Sequence, residues 1–197
     1  MRIAIGTLAA LLFAGCASAP PKFPFRQVSS GVFEGFAPES KSDFKILRTY
    51  GIRTILSLRA LPWHIPPERR KAEKNGIGFV NTPIPATPFE PSEESVKAAL
   101  LALSDPSLQP IYVHCLLGRD RTTMVVALYR VYFENWTPEA AWREMLSCGF
   151  KQHWTLRGFA TYFWSHTEKP DWVKELLAER AKNDTDNATY GNNSKAR

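Results

Sequence analysis

Apolar and polar positions along this chain fall into short blocks with alternating periods. Residues 30–38 alternate around Gly31 and Gly35, which predicts an edge strand or hairpin. Residues 41–50 place Phe44, Ile46 and Leu47 at helical spacing and stop at Gly51. The run 54–59 (TILSLR) reads as a strand, the charged block 66–75 as a helix ending at Gly76, and 77–80 as a second strand. Four prolines in 82–91 exclude regular structure there. Ser92 has the makings of an N-cap, with Ser95 at the third position and Glu93 and Glu94 in the first turn, so a helix is expected to about residue 103. A buried strand follows at 110–114, then a strongly apolar helix at 122–133. Thr137-Pro138 opens another helix to 147. The aromatic-rich stretch 154–166 and the amphipathic stretch 171–181 read as helices. The aromatic stripe of Trp154, Phe159, Tyr162, Phe163 and Trp164 is expected to pack in the core. Strands alternating with helices imply an α/β domain with a mostly parallel central sheet flanked by helices.

The two ends differ from this pattern. Residues 1–15 begin with a positive Met1-Arg2 and continue as an apolar run too short to span a bilayer, the layout of an export signal. Small residues before Cys16 resemble the bacterial lipobox, with Phe13 where Leu is usual, and that resemblance implies lipidation of Cys16. A plain signal cut after Ala19 is the alternative. By the bacterial sorting rule, Ala17 after the cysteine points to the outer membrane, facing the periplasm; the alternative gives a secreted or periplasmic protein. Residues 16–29 then form a Pro-rich tether, the folded domain occupies 30–182, and the Asn- and Thr-rich 183–197 is expected to be a disordered tail.

Charge and cysteines narrow the chemistry. A net charge of +6 suits anionic partners, and equally a merely soluble basic surface. No long Lys/Arg run is present, so nucleic acid is not expected as a partner. With Cys16 assigned to lipid, Cys115 and Cys148 remain. They make no disulfide framework. A bridge between them is conceivable in an oxidising compartment, but Cys148 reads better as a small buried residue near a helix end. His64, His153 and His166 lack metal-ligand spacing, so neither metal nor cofactor is expected.

The segment HCLLGRDRT (114–122) lies between a strand and a helix. Backbone N–H groups of such a loop, Leu116, Leu117, Gly118, Arg119, Asp120 and Arg121, make an anion nest at a helix N-terminus. A thiol at Cys115 is driven there toward thiolate. Gly118 lets the backbone curl around a phosphate, and Arg121 can grip two of its oxygens. Thr122 can donate a hydrogen bond to the sulfur. The segment resembles the signature of the tyrosine and dual-specificity phosphatase superfamily: His-Cys, five residues, Arg, Ser/Thr. GFAP (35–38), GIRTILSLR (51–59) and PEAAWREM (138–145) with Gly149-Phe150 resemble compact bacterial and fungal or plant members. The resemblance implies a three-layer cysteine-phosphatase fold, a phosphocysteine intermediate on Cys115, and His114 holding the loop and lowering the thiol pKa.

The general acid is open. The upstream Pro-rich loop has no Asp and offers only Glu90, whereas Asp120 sits inside the motif, as in myotubularin-, Sac- and triple-specificity-type phosphatases. Arg119 adds a rim cation, which either selects a multiply charged substrate or is merely solvated. Expected substrates are therefore phosphorylated proteins or inositol phosphates and phosphoinositides. Two other readings remain: a rhodanese-like sulfurtransferase, and a non-catalytic phosphate-binding lipoprotein. The missing upstream Asp, and Thr123 where Gly commonly follows Arg-Thr, leave room for the latter. Arg59 either supports the loop or is a surface residue.

Overall fold

The computed structural model describes residues 24–194, with side chains as far as 186. The expected signal and lipidation at Cys16 lie outside the described residues. A five-stranded sheet runs in the order β1-β2-β5-β3-β4, built from β1 (Phe25–Ser29), β2 (Val32–Gly35), β3 (Thr54–Ser57), β4 (Gly78–Asn81) and β5 (Ile111–His114). Only β1 runs antiparallel, as the outer arm of a hairpin with β2. The other pairs are parallel. Strands β3 and β5 are buried at every position, as apolar runs covered on both faces must be.

Helices α1 (Lys41–Thr49) and α2 (Ile65–Lys74) cover one face. Their core contains Phe44, Leu47, Ile55, Ala72 and Tyr112. Helices α3 (Glu93–Ser104), α4 (Arg121–Phe133), α5 (Pro138–Ser147), α6 (Arg157–Ser165) and α7 (Asp171–Ser194) pack toward the other, around Leu56, Val113, Val125, Leu128, Phe159 and Phe163. The result is three layers, as the sequence implies. Among the described residues, both core halves lie between Phe25 and Leu177.

Local chemistry sets the helix starts. Ser40 and Asp43 form a reciprocal capping box on α1. The Ser92 hydroxyl accepts from Ser95 N at 3.2 Å, and Thr137 caps α5 through Ala140 N at 3.3 Å. Helix α4 is buried from Thr122 to Tyr132, so it carries no polar face and forms the spine of the domain.

Three expectations are corrected. First, residues 25–29, expected to belong to the tether, form β1. Arg26 bonds Glu34 on β2 at 2.6 Å and Glu144 on α5 at 2.7 Å, and Arg130 on α4 also holds Glu144, at 2.8 Å. This charged cluster fastens the entering chain to the domain, which the Pro-rich composition does not reveal. Second, α7 continues to Ser194, where a disordered tail was expected from 183. Trp172, Val173 and Leu177 dock its first turns on the core, and no proline interrupts 171–194. Once nucleated, a helix extends one residue at a time at small cost. Third, the aromatic stripe divides. Phe159, Tyr162 and Phe163 are buried, but Trp154 and Trp164 are exposed.

Candidate functional site

The loop 115–120 joins the end of β5 to the start of α4. The strand delivers Cys115 from the middle of the sheet, where its side chain is 1% exposed. The loop then turns sharply at Gly118, whose φ of 59° lies in the left-handed region. A Cβ there would overlap the carbonyl of Gly35 at the end of β2. Gly118 thus answers both to backbone conformation and to close approach. The Ala37 N–H donates to Leu116 O at 3.1 Å, binding the loop to the chain after β2. The Thr123 hydroxyl donates to the carbonyls of Arg119 (2.6 Å) and Asp120 (3.1 Å). Loop carbonyls are thereby occupied, and Thr123 has a positive role where a departure from the usual Gly had suggested weakened function.

Burial pushes the Cys115 thiol up, but its pKa is nevertheless lowered. The Arg121 charge, the Thr122 hydroxyl and the N–H groups of Thr122 and Gly118 outweigh the burial. The Arg121 guanidinium is itself held, donating from Nη1 to Ile84 O at 3.1 Å and Leu58 O at 3.4 Å. With Arg59, Ala60, Leu61, His64 and Leu116 it lines a small cavity of about 60 Å³.

Beneath the loop lies a buried polar chain. His114 is fully buried, with Nδ1 2.8 Å from Cys115 O and Nε2 2.6 Å from Glu68 Oε1 on α2. Both ring nitrogens thus face oxygens that accept an N–H. Glu68 Oε2 takes Nη1 of Arg59 at 3.2 Å, and Arg59 also reaches His64 Nδ1. Burial raises the Glu68 carboxyl, but His114 and Arg59 hold it below the ordinary carboxylate range. Arg59 is buried, which decides against a surface role. Sequence reasoning missed Glu68. A signal existed: on α2 it shares a helix face with Ile65 and Ala72, three positions after one and four before the other, amid an otherwise charged helix.

Asp120 sits at the N-cap of α4, but its side chain caps nothing. Burial raises its carboxyl above the usual range, while Arg121 and Arg119 partly counter this. Glu90 is exposed, and the backbone at Phe89 and Glu90 packs on Gly158 of α6. Arg119 is exposed, its stem against Gly149 and its guanidinium 5.6 Å from the Phe36 ring centre. Leu116 and Leu117 turn their side chains to solvent, leaving only their backbone to the loop. Cys115 and Cys148 are both free thiols. Cys148 is the C-cap of α5, in a separate hollow that also touches Glu34 and Gly118. Among the described residues no group of three or more His, Cys, Asp or Glu could hold a metal ion. No described helix is long and apolar enough to cross a membrane.

A depressed thiol, a fixed guanidinium and a ring of N–H groups at a helix N-terminus can hold a tetrahedral dianion and attack it. Comparison with known proteins agrees. A family model described as "DSP-PTPase phosphatase fused to NAD+ Kinase" matches residues 30–157, well over half of the chain. A rice protein (Oryza sativa subsp. japonica), "Inositol diphosphatase DSP2", is 31% identical over 114 residues, covering 56% of this chain and 54% of its own. The chain thus spans about half the length of the curated relatives it matches. The core catalytic domain of the PP-IP phosphatase SIW14 from S. cerevisiae, solved with citrate, has TM-score 0.70 at 18% identity, over 83% of this chain and 96% of that one. P. aeruginosa TpbA, solved in complex with pTyr, has TM-score 0.63 at 18% identity, over 82% and 94%. These structures share the fold.

Proposed function

The chain belongs to the family of DSP-type phosphatases that this model describes, and from that premise we propose that it hydrolyses phosphate monoesters through a phosphocysteine. The Cys115 thiolate attacks phosphorus, and the ester oxygen leaves with a proton from Asp120. Arg121 and the N–H groups from Leu116 to Arg121 hold the equatorial oxygens as charge shifts. Water then attacks the phosphocysteine, giving its proton back to Asp120. Sulfur leaves as thiolate, stabilised by the Thr122 hydroxyl, and inorganic phosphate departs. His114, fixed by Glu68, positions the loop and does not touch the substrate.

The single observation carrying this reading is the geometry of the loop: a buried Cys115 at its start, a left-handed turn at Gly118, and the Arg121 guanidinium fixed on Ile84 O and Leu58 O, an arrangement that favours the thiolate. Asp120 is favoured over Glu90 because its carboxyl is raised, lies beside Arg121 and is tied to nothing. The free acid also argues against a binding module without turnover. The matched family argues against a sulfurtransferase. Substrates are drawn from phosphotyrosine or phosphoserine/threonine proteins and from inositol phosphates or phosphoinositides. Relatives named for inositol diphosphates and a fold relative holding pTyr support both classes, and the rim cation Arg119 favours a multiply charged one. We place the protein in the cell envelope, anchored through lipid on Cys16.

The test is hydrolysis of an aryl phosphate by residues 17–197, beside Cys115→Ser. Turnover by the parent and none by the variant is expected. A reduced, folded parent inert toward both aryl and inositol phosphates sinks the enzyme reading and leaves phosphate binding. Lipidation is tested separately, by palmitate incorporation that Cys16→Ser abolishes.

A further inference from the structure

The phosphate loop opens through an apolar ridge. Leu116 and Leu117 are each 47% exposed, Leu61 is 49% exposed and Trp63 67%. They are contiguous. Leu116 shares one hollow with Leu61, His64 and Arg121, and another with Leu117, Phe36 and Pro24. Trp63 stands between Leu61 and His64 in a short 3-10 turn, its ring centre 6.1 Å from that of His64. Large apolar side chains left in water around a polar site mark a surface that something covers.

Two observations indicate what covers it. Arg119 stands at the same mouth, its guanidinium 5.6 Å from the ring centre of Phe36, which borders the second hollow, so the cover is apolar with an anionic component. Glu39 and Asp43 also border the second hollow; the Asp43 carboxylate keeps its charge but faces the N–H groups of Glu39 (2.9 Å) and Ser40 (2.8 Å) at the start of α1, where the helix dipole partly offsets it. In addition, the chain enters the fold at this very ridge: Pro24 O accepts from Phe36 N at 3.4 Å and borders Leu116 and Leu117. Cys16 lies eight residues before Pro24, a span of at most about 30 Å. An acyl anchor on Cys16 would hold the mouth, rather than the back of the domain, within that distance of the bilayer.

We propose that the ridge of Leu61, Trp63, Leu116 and Leu117 docks on an anionic lipid bilayer, so that the loop meets phosphate monoesters carried at the membrane surface. The inference rests on the phosphatase reading for what the loop then does and on the Cys16 reading for the tether. Leucine and tryptophan enter the acyl boundary while Arg119 stays among the headgroups, a division that suits amphipathic surfaces. Anionic lipid adds the attraction that a neutral membrane lacks.

Co-sedimentation of unlipidated residues 17–197 with vesicles of phosphatidylcholine, alone or mixed with phosphatidylglycerol, tests the surface without the anchor. This stretch contains both core halves. Binding is expected on the mixed vesicles and weaker binding on the neutral ones. Trp63→Ser should raise the lipid needed for half-binding about tenfold, with melting temperature and aryl phosphate turnover unchanged. Trp154→Ser with Trp164→Ser, in the other exposed aromatic hollow, should bind like the parent. The proposal is overturned if the parent stays in the supernatant, if the ridge variant binds undiminished, or if the loss follows Trp154 and Trp164. Vesicle binding by a parent that hydrolyses nothing would sink the phosphatase reading and leave the docking surface standing.

Discussion

One free thiol faces the N-terminus of α4 and the other sits at the C-terminus of α5, and the two are driven in opposite directions. Cys115, nearly inaccessible, is lowered. Cys148, only half-buried, is raised, first by burial and then by the Glu34 carboxylate, with Arg26 partly opposing. Exposure alone predicts the reverse order. The surroundings decide instead: one thiol faces a guanidinium, a hydroxyl and N–H groups at a helix start, the other faces a carboxylate at a helix end. The comparison can be broken by changing one neighbour at a time.

The largest effect is expected from removing the cation. On the proposed mechanism Arg121→Ala takes away both the thiolate's counter-charge and the clamp on the phosphoryl group, and kcat/KM for an aryl phosphate should fall about 10³-fold. Iodoacetamide titration of the variant should find Cys115 reacting only at higher pH, nearer to Cys148. If the thiol titrates as in the parent, the Coulombic account is wrong.

Asp120→Asn comes next and separates acid from nucleophile. With an alkyl phosphate, kcat should drop about 10²-fold, with little change for a well-activated aryl leaving group. The sign follows from the two shifts. Cys115 must be ionised, so activity rises with pH through its lowered pKa. Asp120 must be protonated, so activity falls as pH rises through its raised one. The variant should therefore keep the acidic limb and lose the alkaline limb. A variant that retains both limbs moves the acid elsewhere, and Glu90→Gln is then the variant to measure.

Glu68→Gln probes the buried chain below the loop. His114 loses its charged partner and the loop its fixed underside. Cys115 alkylation at a fixed pH below the thiol pKa should slow about tenfold, a difference of ~1.4 kcal/mol in ionisation. The rate at high pH, where the thiol is fully ionised, should be unchanged. A merely structural role would lower the melting temperature without moving the alkylation profile. Because the Glu68 carboxyl is held low, its stabilising contribution is present at neutral pH and lost as pH falls through the lowered value. The variant should accordingly lose part of the parent's sensitivity to acid.

What the sequence reveals follows the range of the interactions. The strand, the loop and the helix are consecutive, so the positions of Cys115, Gly118, Arg121 and Thr122 could be read from spacing alone. Capping at Ser92 and Thr137 is equally local. Glu68 stands 46 residues before His114, and no short pattern joins them. The packing of Gly118 on Gly35 and the carbonyls that hold Arg121 are long-range backbone contacts, invisible to residue type. The helix past residue 183 was missed because composition measures a segment's preference in isolation, while Val173 and Leu177 had already paid for its nucleation. The division of the aromatic stripe depended on which side of α6 meets α4, which spacing on one helix does not specify.

The smallest effect is the sharpest test of the comparison. Cys148→Ser removes a thiol whose hollow also touches Gly118, so proximity to the loop alone would predict a loss of function. If helix position governs reactivity, aryl phosphate turnover should stay within about twofold, since Cys148 caps α5 through its backbone N–H, which serine keeps, and a serine hydroxyl can still face the Glu34 carboxylate. Peptide mapping after brief iodoacetamide treatment at neutral pH should find label on Cys115 and little on Cys148, even though Cys148 is the more accessible. Labelling of Cys148 first would mean that access outweighs ionisation in this domain. The contrast between the two helix ends would then be one of exposure after all.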